Sequence, residues 1–105
     1  MKHLIFITTA LILGALTSTV QAADAAAGKT VYMQCQACHG ANGEGNEALK
    51  APKIAGQYDW YIVSSLNQYK NGGRSYPAAA AMVPFATMLN DTQKADVAAY
   101  IASMK

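Results

Sequence analysis

Residues 35–39 read Cys35-Gln36-Ala37-Cys38-His39, and the reading of these five residues decides the fold. Two thiols three positions apart, followed at once by an imidazole, are what covalent haem attachment requires. Both sulfurs can reach the two vinyl groups, while His39 turns under the ring to ligate iron. Other uses of the stretch fit less well. A structural zinc site needs four protein ligands, but Cys35 and Cys38 are the only cysteines and the only other histidine, His3, lies in a segment expected to be cleaved, so the ligand count stops at three. A thioredoxin-like pair belongs at the start of a helix that follows a strand, whereas here a helical pattern precedes the motif and no βαβ pattern is visible. A plain disulfide accounts for the thiols and leaves His39 to chance. The disulfide and the redox dithiol stay as the alternatives to haem.

Upstream, residues 1–22 have the form of a secretory signal peptide. Lys2 supplies the positive start, Leu4 to Leu16 form a 13-residue uncharged stretch, and Val20-Gln21-Ala22 fits the small-residue rule before a cut at Ala22/Ala23. The apolar part is short for a membrane span, which takes about 18 residues or more, so an uncleaved anchor is the lesser alternative. Cleavage leaves residues 23–105, 83 in number and enough for one domain. Eighteen of those residues are alanine, against 16 drawn from Val, Ile, Leu, Met, Phe and Trp. So small a core is marginal without a staple or an added apolar body, and a tethered haem supplies both; the haem-free form is expected to be largely unfolded. Charge names no partner class: seven Lys plus Arg stand against six Asp plus Glu in residues 23–105. Lys50, Lys53, Lys70 and Arg74 cluster mid-chain and suit either a docking rim or a solvated surface.

Asp24 to Gln34 is expected to be a first helix, capped by Asp24, with Gly28, Val31 and Tyr32 on one stripe. A glycine inside a helix costs up to about 1 kcal/mol, so Gly28 marks a place where another backbone comes close. Past His39, glycines at 40, 43 and 45 and then Pro52 predict a loop around the haem edge, and the rigid Pro52 carbonyl is a candidate acceptor for the second ring nitrogen of His39. Asp59 to Asn71 predicts a second helix, with Ile62, Leu66 and Tyr69 inward and Gly72-Gly73 as its stop. Trp60 suits plain packing or a hydrogen bond to a haem carboxylate. Ser75 to Met88 is expected to be irregular because Pro77 and Pro84 interrupt it. Asn90 and Gln93 form a capping box for a last helix that turns Val97, Tyr100, Ile101 and Met104 to one face. No repeat, heptad or nucleic-acid patch is present.

Over Asp24 to Lys105 the chain resembles the class I c-type cytochromes, in particular the small bacterial monohaem proteins and single domains of their tandem dihaem relatives. The resemblance rests on Cys35-x-x-Cys38-His39, Pro52-Lys53-Ile54-Ala55-Gly56-Gln57, the Tyr69-Lys70-x-Gly72-x-Arg74 helix end, and Met82 ahead of Leu89-Asn90-Asp91. Asn90 departs from the serine commoner there, and the alanine run before Met82 is unusually plain. The resemblance implies an all-α cytochrome c fold, three principal helices and long loops wrapped around one haem c. In it Gly28 and Tyr32 of the first helix cross Val97 and Tyr100 of the last. It also implies thioethers at Cys35 and Cys38, and iron held by His39 and Met82, which leaves no open position for a substrate. The expected function is that of a periplasmic one-electron carrier, not an enzyme, serving a redox-protein donor and acceptor. It is expected to have no nucleic-acid partner and no stable membrane insertion after cleavage, as a monomer or weak dimer. A fixed haem subunit of a larger respiratory complex is the second reading, and an open-site sensor or enzyme the third. Among the methionines, Met82 and Met88 both lie in the segment able to drape over the haem. Met88, next to the helix start, is the one expected to be committed to packing or solvent.

Overall fold

The computed structural model describes residues 22–105 together with Ala10 and Gly14. The segment 1–22 expected to be a signal peptide otherwise lies outside the described residues but for Ala22, and so does His3. Five α-helices and two 3-10 turns make up the domain: α1 (Ala25–Tyr32), α2 (Gln36–His39), a 3-10 turn (Glu47–Leu49), α3 (Asp59–Lys70), a second 3-10 segment (Pro77–Met82), α4 (Val83–Met88) and α5 (Asp91–Ala102). The described residues contain no strand beyond the isolated bridge between Asn46 and Ala51.

The helix ends follow local chemistry. The Asp24 carboxylate accepts from the Ala26 and Ala27 amides at 2.9 and 3.2 Å, and its own amide donates to Asp96 on α5. At α5 the Asn90 side chain accepts from the Gln93 amide at 2.8 Å while Gln93 accepts from the Asn90 amide at 3.0 Å. Each such cap is worth about 1 kcal/mol.

Helix α1 lies against α5 at Gly28. A methyl group placed there would stand 2.0 Å from the Asp96 carbonyl oxygen and 2.9 Å from Tyr100 Cβ, so only hydrogen allows this approach. One turn on, the buried Tyr32 ring meets Tyr100 at 5.4 Å between centroids. The expected crossing of Gly28 and Tyr32 with the Val97 and Tyr100 face is therefore present. Helix α3 closes the other side with Ile62, Leu66 and Tyr69 buried, and Ala79, Ala86 and Ala98 let the remaining segments come close.

One expectation needs correction. The segment 75–88 is helical over most of its length, because each proline falls in a first turn, where its missing N–H costs nothing. Lys94 is buried at 2% exposure, its ammonium donating to Asn67 Oδ1 at 2.9 Å, so a lysine serves as a polar tie between α5 and α3.

A candidate haem site at the Cys-x-x-Cys-His turn

The chain leaves α1 by a turn in which the Cys35 amide donates to the Tyr32 carbonyl at 2.8 Å, and α2 then carries Cys38 and His39 round within one turn. Both cysteines are free thiols, Cys35 half-buried and Cys38 exposed. Burial, and secondly the neighbouring Cys38, push the Cys35 thiol up to about 11. A nucleophilic redox dithiol needs a depressed thiol pKa, so this environment argues against that alternative.

His39 is buried at 7% exposure, and its Nδ1 lies 2.9 Å from the Pro52 carbonyl oxygen. A carbonyl only accepts, so Nδ1 carries the proton and Nε2 keeps its lone pair for a metal. The Pro52 carbonyl expected from its rigidity to be the acceptor is in place. The loop that presents Pro52 is tied back to the motif: the Gly45 amide donates to the His39 carbonyl at 2.7 Å, and Gly43 accepts from Ile54 and Ala55. A side chain at Gly45 would stand 2.6 Å from the Lys53 nitrogen and 2.8 Å from the Pro52 carbonyl carbon, so this position too requires glycine.

Met82 ends the second 3-10 segment, half-buried and packed against the core. Met33 and Met88 are 64% and 60% exposed, and Met104 packs beside Gly43. A shallow slot of about 670 Å³, wide open to solvent, lies between Leu49 and Lys50 on one side and Tyr76, Pro77, Ala78 and Ala81 on the other. One wall thus continues into the Pro52 loop that anchors His39, and the other ends at Met82. These residues fit a haem: two free thiols, a tautomer-locked imidazole, a thioether and a slot with largely apolar walls. Among the described residues no cluster of three or more His, Cys, Asp or Glu converges as a rival metal site.

Trp60 packs on aromatic neighbours at the surface. It is 65% exposed, stacked on Tyr58 and edge-on to Tyr61, and it lines a separate hollow with Ala95 and Ala98. Arg74 folds back onto α3. Its guanidinium donates to Gln68 Oε1, Tyr69 Oη, Ser65 Oγ and Tyr61 Oη at 2.8–3.4 Å. Burial opposes its charge, but the hydrogen bonds to tyrosine hydroxyls outweigh this and hold the guanidinium above its usual range. The sequence signals for this network were the Tyr69-Lys70-x-Gly72-x-Arg74 helix end and the i, i+4, i+8 spacing of Tyr61, Ser65 and Tyr69.

A mostly helical domain built around a Cys-x-x-Cys-His turn has the form of a class I c-type cytochrome. The chain belongs to the cytochrome c family, whose model matches residues 25–105. It is 42% identical over 84 residues to cytochrome c-554(548) of Halomonas halodenitrificans, covering 80% of this chain and all of that one. It is also 42% identical over 91 residues to cytochrome c4 of Pseudomonas aeruginosa, covering 86% of this chain and 43% of the relative. Among solved structures, thiosulfate dehydrogenase of Marichromatium purpuratum superposes with a TM-score of 0.70 at 31% identity, over 77% of this chain and 19% of that one. The protein carries covalently attached haem c and is an electron carrier, not a catalytic enzyme.

Proposed function

We propose that Cys35 and Cys38 would form the thioethers and that His39 and Met82 would hold the iron of a protein shuttling single electrons between redox proteins in the periplasm. The observation that carries the ligand assignment is the His39–Pro52 hydrogen bond, which fixes the imidazole tautomer beside two free thiols. Bound there, the haem supplies reversible one-electron chemistry. His39 is held in orientation by Pro52, the Gly43 and Gly45 ties keep that loop in place, and the thioether of Met82 favours ferrous iron. With both positions filled the site exchanges electrons and binds no substrate. The export pattern of residues 1–22 and the bacterial relatives support the periplasmic setting. No helix among the described residues is long and apolar enough to cross a membrane.

Met82→Ala tests the reading. It should abolish the sulfur-to-iron charge-transfer band, lower the reduction potential and admit exogenous ligands, while Met88→Ala leaves all three near wild type. Survival of the band in Met82→Ala and its loss in Met88→Ala would reverse the assignment. A second reading, a haem unit working beside a partner enzyme, draws on the likeness to part of the thiosulfate dehydrogenase chain. Co-purification with such an enzyme at physiological salt would favour it over free diffusion.

A further inference from the structure

The surface at the start of α3 carries three aromatic rings that the haem reading leaves without a use. Trp60 and Tyr58 are 65% and 68% exposed, with ring planes within 17° of each other and centroids 6.0 Å apart. Tyr61 stands edge-on to the indole at 5.9 Å, and its own ring is taken up by the Arg74 guanidinium. The indole is thus braced in place yet open to solvent. It borders a shallow hollow of about 600 Å³ shared with Ala95 and Ala98 of α5 and with Ala23. This hollow has no lining residue in common with the slot beside Leu49 and Tyr76.

The charge of this face has one sign. Asp59 is the charged member of the lining, and its Oδ1 accepts from the Trp60 amide at 2.7 Å, which fixes the carboxylate beside the indole. Asp91 is fully exposed and lies one turn before Ala95 on the stripe that reaches the hollow. Two cations touch the wall from within, but their donors are spent. Lys94 donates to Asn67 Oδ1 and Arg74 to Gln68 Oε1, each at 2.9 Å. The one ion pair among the described residues is Lys94 with Asp91, so Asp59 has no cationic partner there. Lys70, on the same helix as Asp59, stands about 16 Å further along it. The amino group that the expected cleavage leaves on Ala23 falls next to Asp24 and Asp96, whose bond of 2.8 Å closes that end of the hollow.

A braced, exposed indole with an unpaired carboxylate fixed at its edge suits a cation that is also flat. A guanidinium stacks on the ring and forks to the carboxylate, whereas an ammonium is more strongly hydrated and does only one of these well. The hollow is too open to enclose a small molecule, and tryptophan and tyrosine are the side chains that most often anchor protein interfaces. We propose that the Trp60 face is a docking site for a basic protein partner, whose arginine lies on the indole and pairs with Asp59. The face is opposite in sign to the mid-chain lysines and apart from the slot, so a partner seated here leaves the slot free for a second protein.

The test uses the exported, haem-loaded protein in its reduced form and three probes: a blocked Gly-Arg-Gly-Arg-Gly peptide and its lysine and glutamate counterparts. Trp60 is the only tryptophan, so its indole N–H resonance reports on this face alone. The arginine peptide should shift that resonance saturably and bind more tightly than the lysine peptide, and the glutamate peptide should leave it unmoved. Followed on the α3 amide resonances, Trp60→Ala should weaken arginine-peptide binding on the order of tenfold. Asp59→Asn should weaken it about twofold to fivefold, with less salt dependence. Lys50→Gln with Lys53→Gln should not weaken it. Wild-type affinity in both Trp60→Ala and Asp59→Asn, with circular dichroism unchanged, would overturn the proposal. So would an indole resonance that ignores the arginine peptide, or equal binding of the arginine and lysine peptides. If Trp60→Ala fails to accumulate, Asp59→Asn decides the matter by the same criterion. Haem content, read from intact mass, bears on the haem reading and enters none of these outcomes.

Discussion

Replacing Gly28 with alanine perturbs the α1–α5 crossing on which the domain is built. The added methyl would stand 2.0 Å from the Asp96 carbonyl oxygen, 2.5 Å from its carbon and 2.9 Å from Tyr100 Cβ. The nearest obstruction is the backbone of α5, so no side chain can swing away to relieve it. The helices must separate by more than an ångström, which also opens the Tyr32–Tyr100 contact. A gap of that size forfeits a quarter to a half of each atom-pair attraction along the seam. Overpacking costs about 1–3 kcal/mol, and more where nothing can yield. Alanine returns up to about 1 kcal/mol through helix propensity. The net loss should be about 2–3 kcal/mol, which for a domain of this size lowers Tm by roughly 10–20 °C. Thermal and guanidinium unfolding of the haem-loaded protein, followed by far-ultraviolet circular dichroism, measures it. Gly73→Ala is the control, because its methyl meets nothing closer than 3.5 Å. A Gly28→Ala protein within about 0.5 kcal/mol of wild type would refute the reasoning, since the crossing would then tolerate a side chain.

Tyr32 gives a pH prediction. Burial first, then the charges of Cys35 and Glu44, push its hydroxyl up to about 12, and burial persists when Cys35 is a thioether. The unfolded chain loses this proton near pH 10, so between about 10 and 12 the folded state binds more protons and stability falls as pH rises, by up to about 1.4 kcal/mol per pH unit. Tyr32→Phe should flatten that decline in guanidinium midpoints taken from pH 9 to 11.5; equal slopes would show that the phenol is not responsible. Replacing Lys50, Lys53 and Lys70, all exposed, with glutamine should slow electron exchange with an acidic partner at low salt, the deficit closing as salt is raised. An unchanged rate and salt dependence would make them a solvated surface only. Cys35→Ser with Cys38→Ser should abolish accumulation in the periplasm, and recovery of a cooperatively folding, haem-free double variant would contradict the view that haem completes the core.

What could be read from the sequence was local. The Asp24 cap, the Asn90–Gln93 box and the 35–39 turn each depend on residues a few positions apart, and each is present. Gly28 and Pro52 were legible at longer range because glycine in a helix and a rigid carbonyl after a metal-binding turn have few other uses. The role of Arg74 was not legible. Its partners Tyr61, Ser65, Gln68 and Tyr69 lie 5 to 13 residues back, and only the turn after α3 folds it onto that helix, so by composition it joined the mid-chain lysines. Lys94 was missed for a related reason: its charge suggested solvent, whereas its stem crosses the α3–α5 seam to reach Asn67. The prolines at 77 and 84 misled because their effect depends on position in a turn, which spacing alone does not reveal.

The central claim is that the chain carries one haem, bound through Cys35 and Cys38 and ligated by His39 and Met82. Intact mass and a reduced-minus-oxidised spectrum on one sample of the exported protein test it most directly. The account predicts the mass of residues 23–105 plus a single haem that survives denaturation and acid-acetone extraction, with a sulfur-to-iron band in the ferric form. A mass without haem, or a haem that extracts freely, would contradict it.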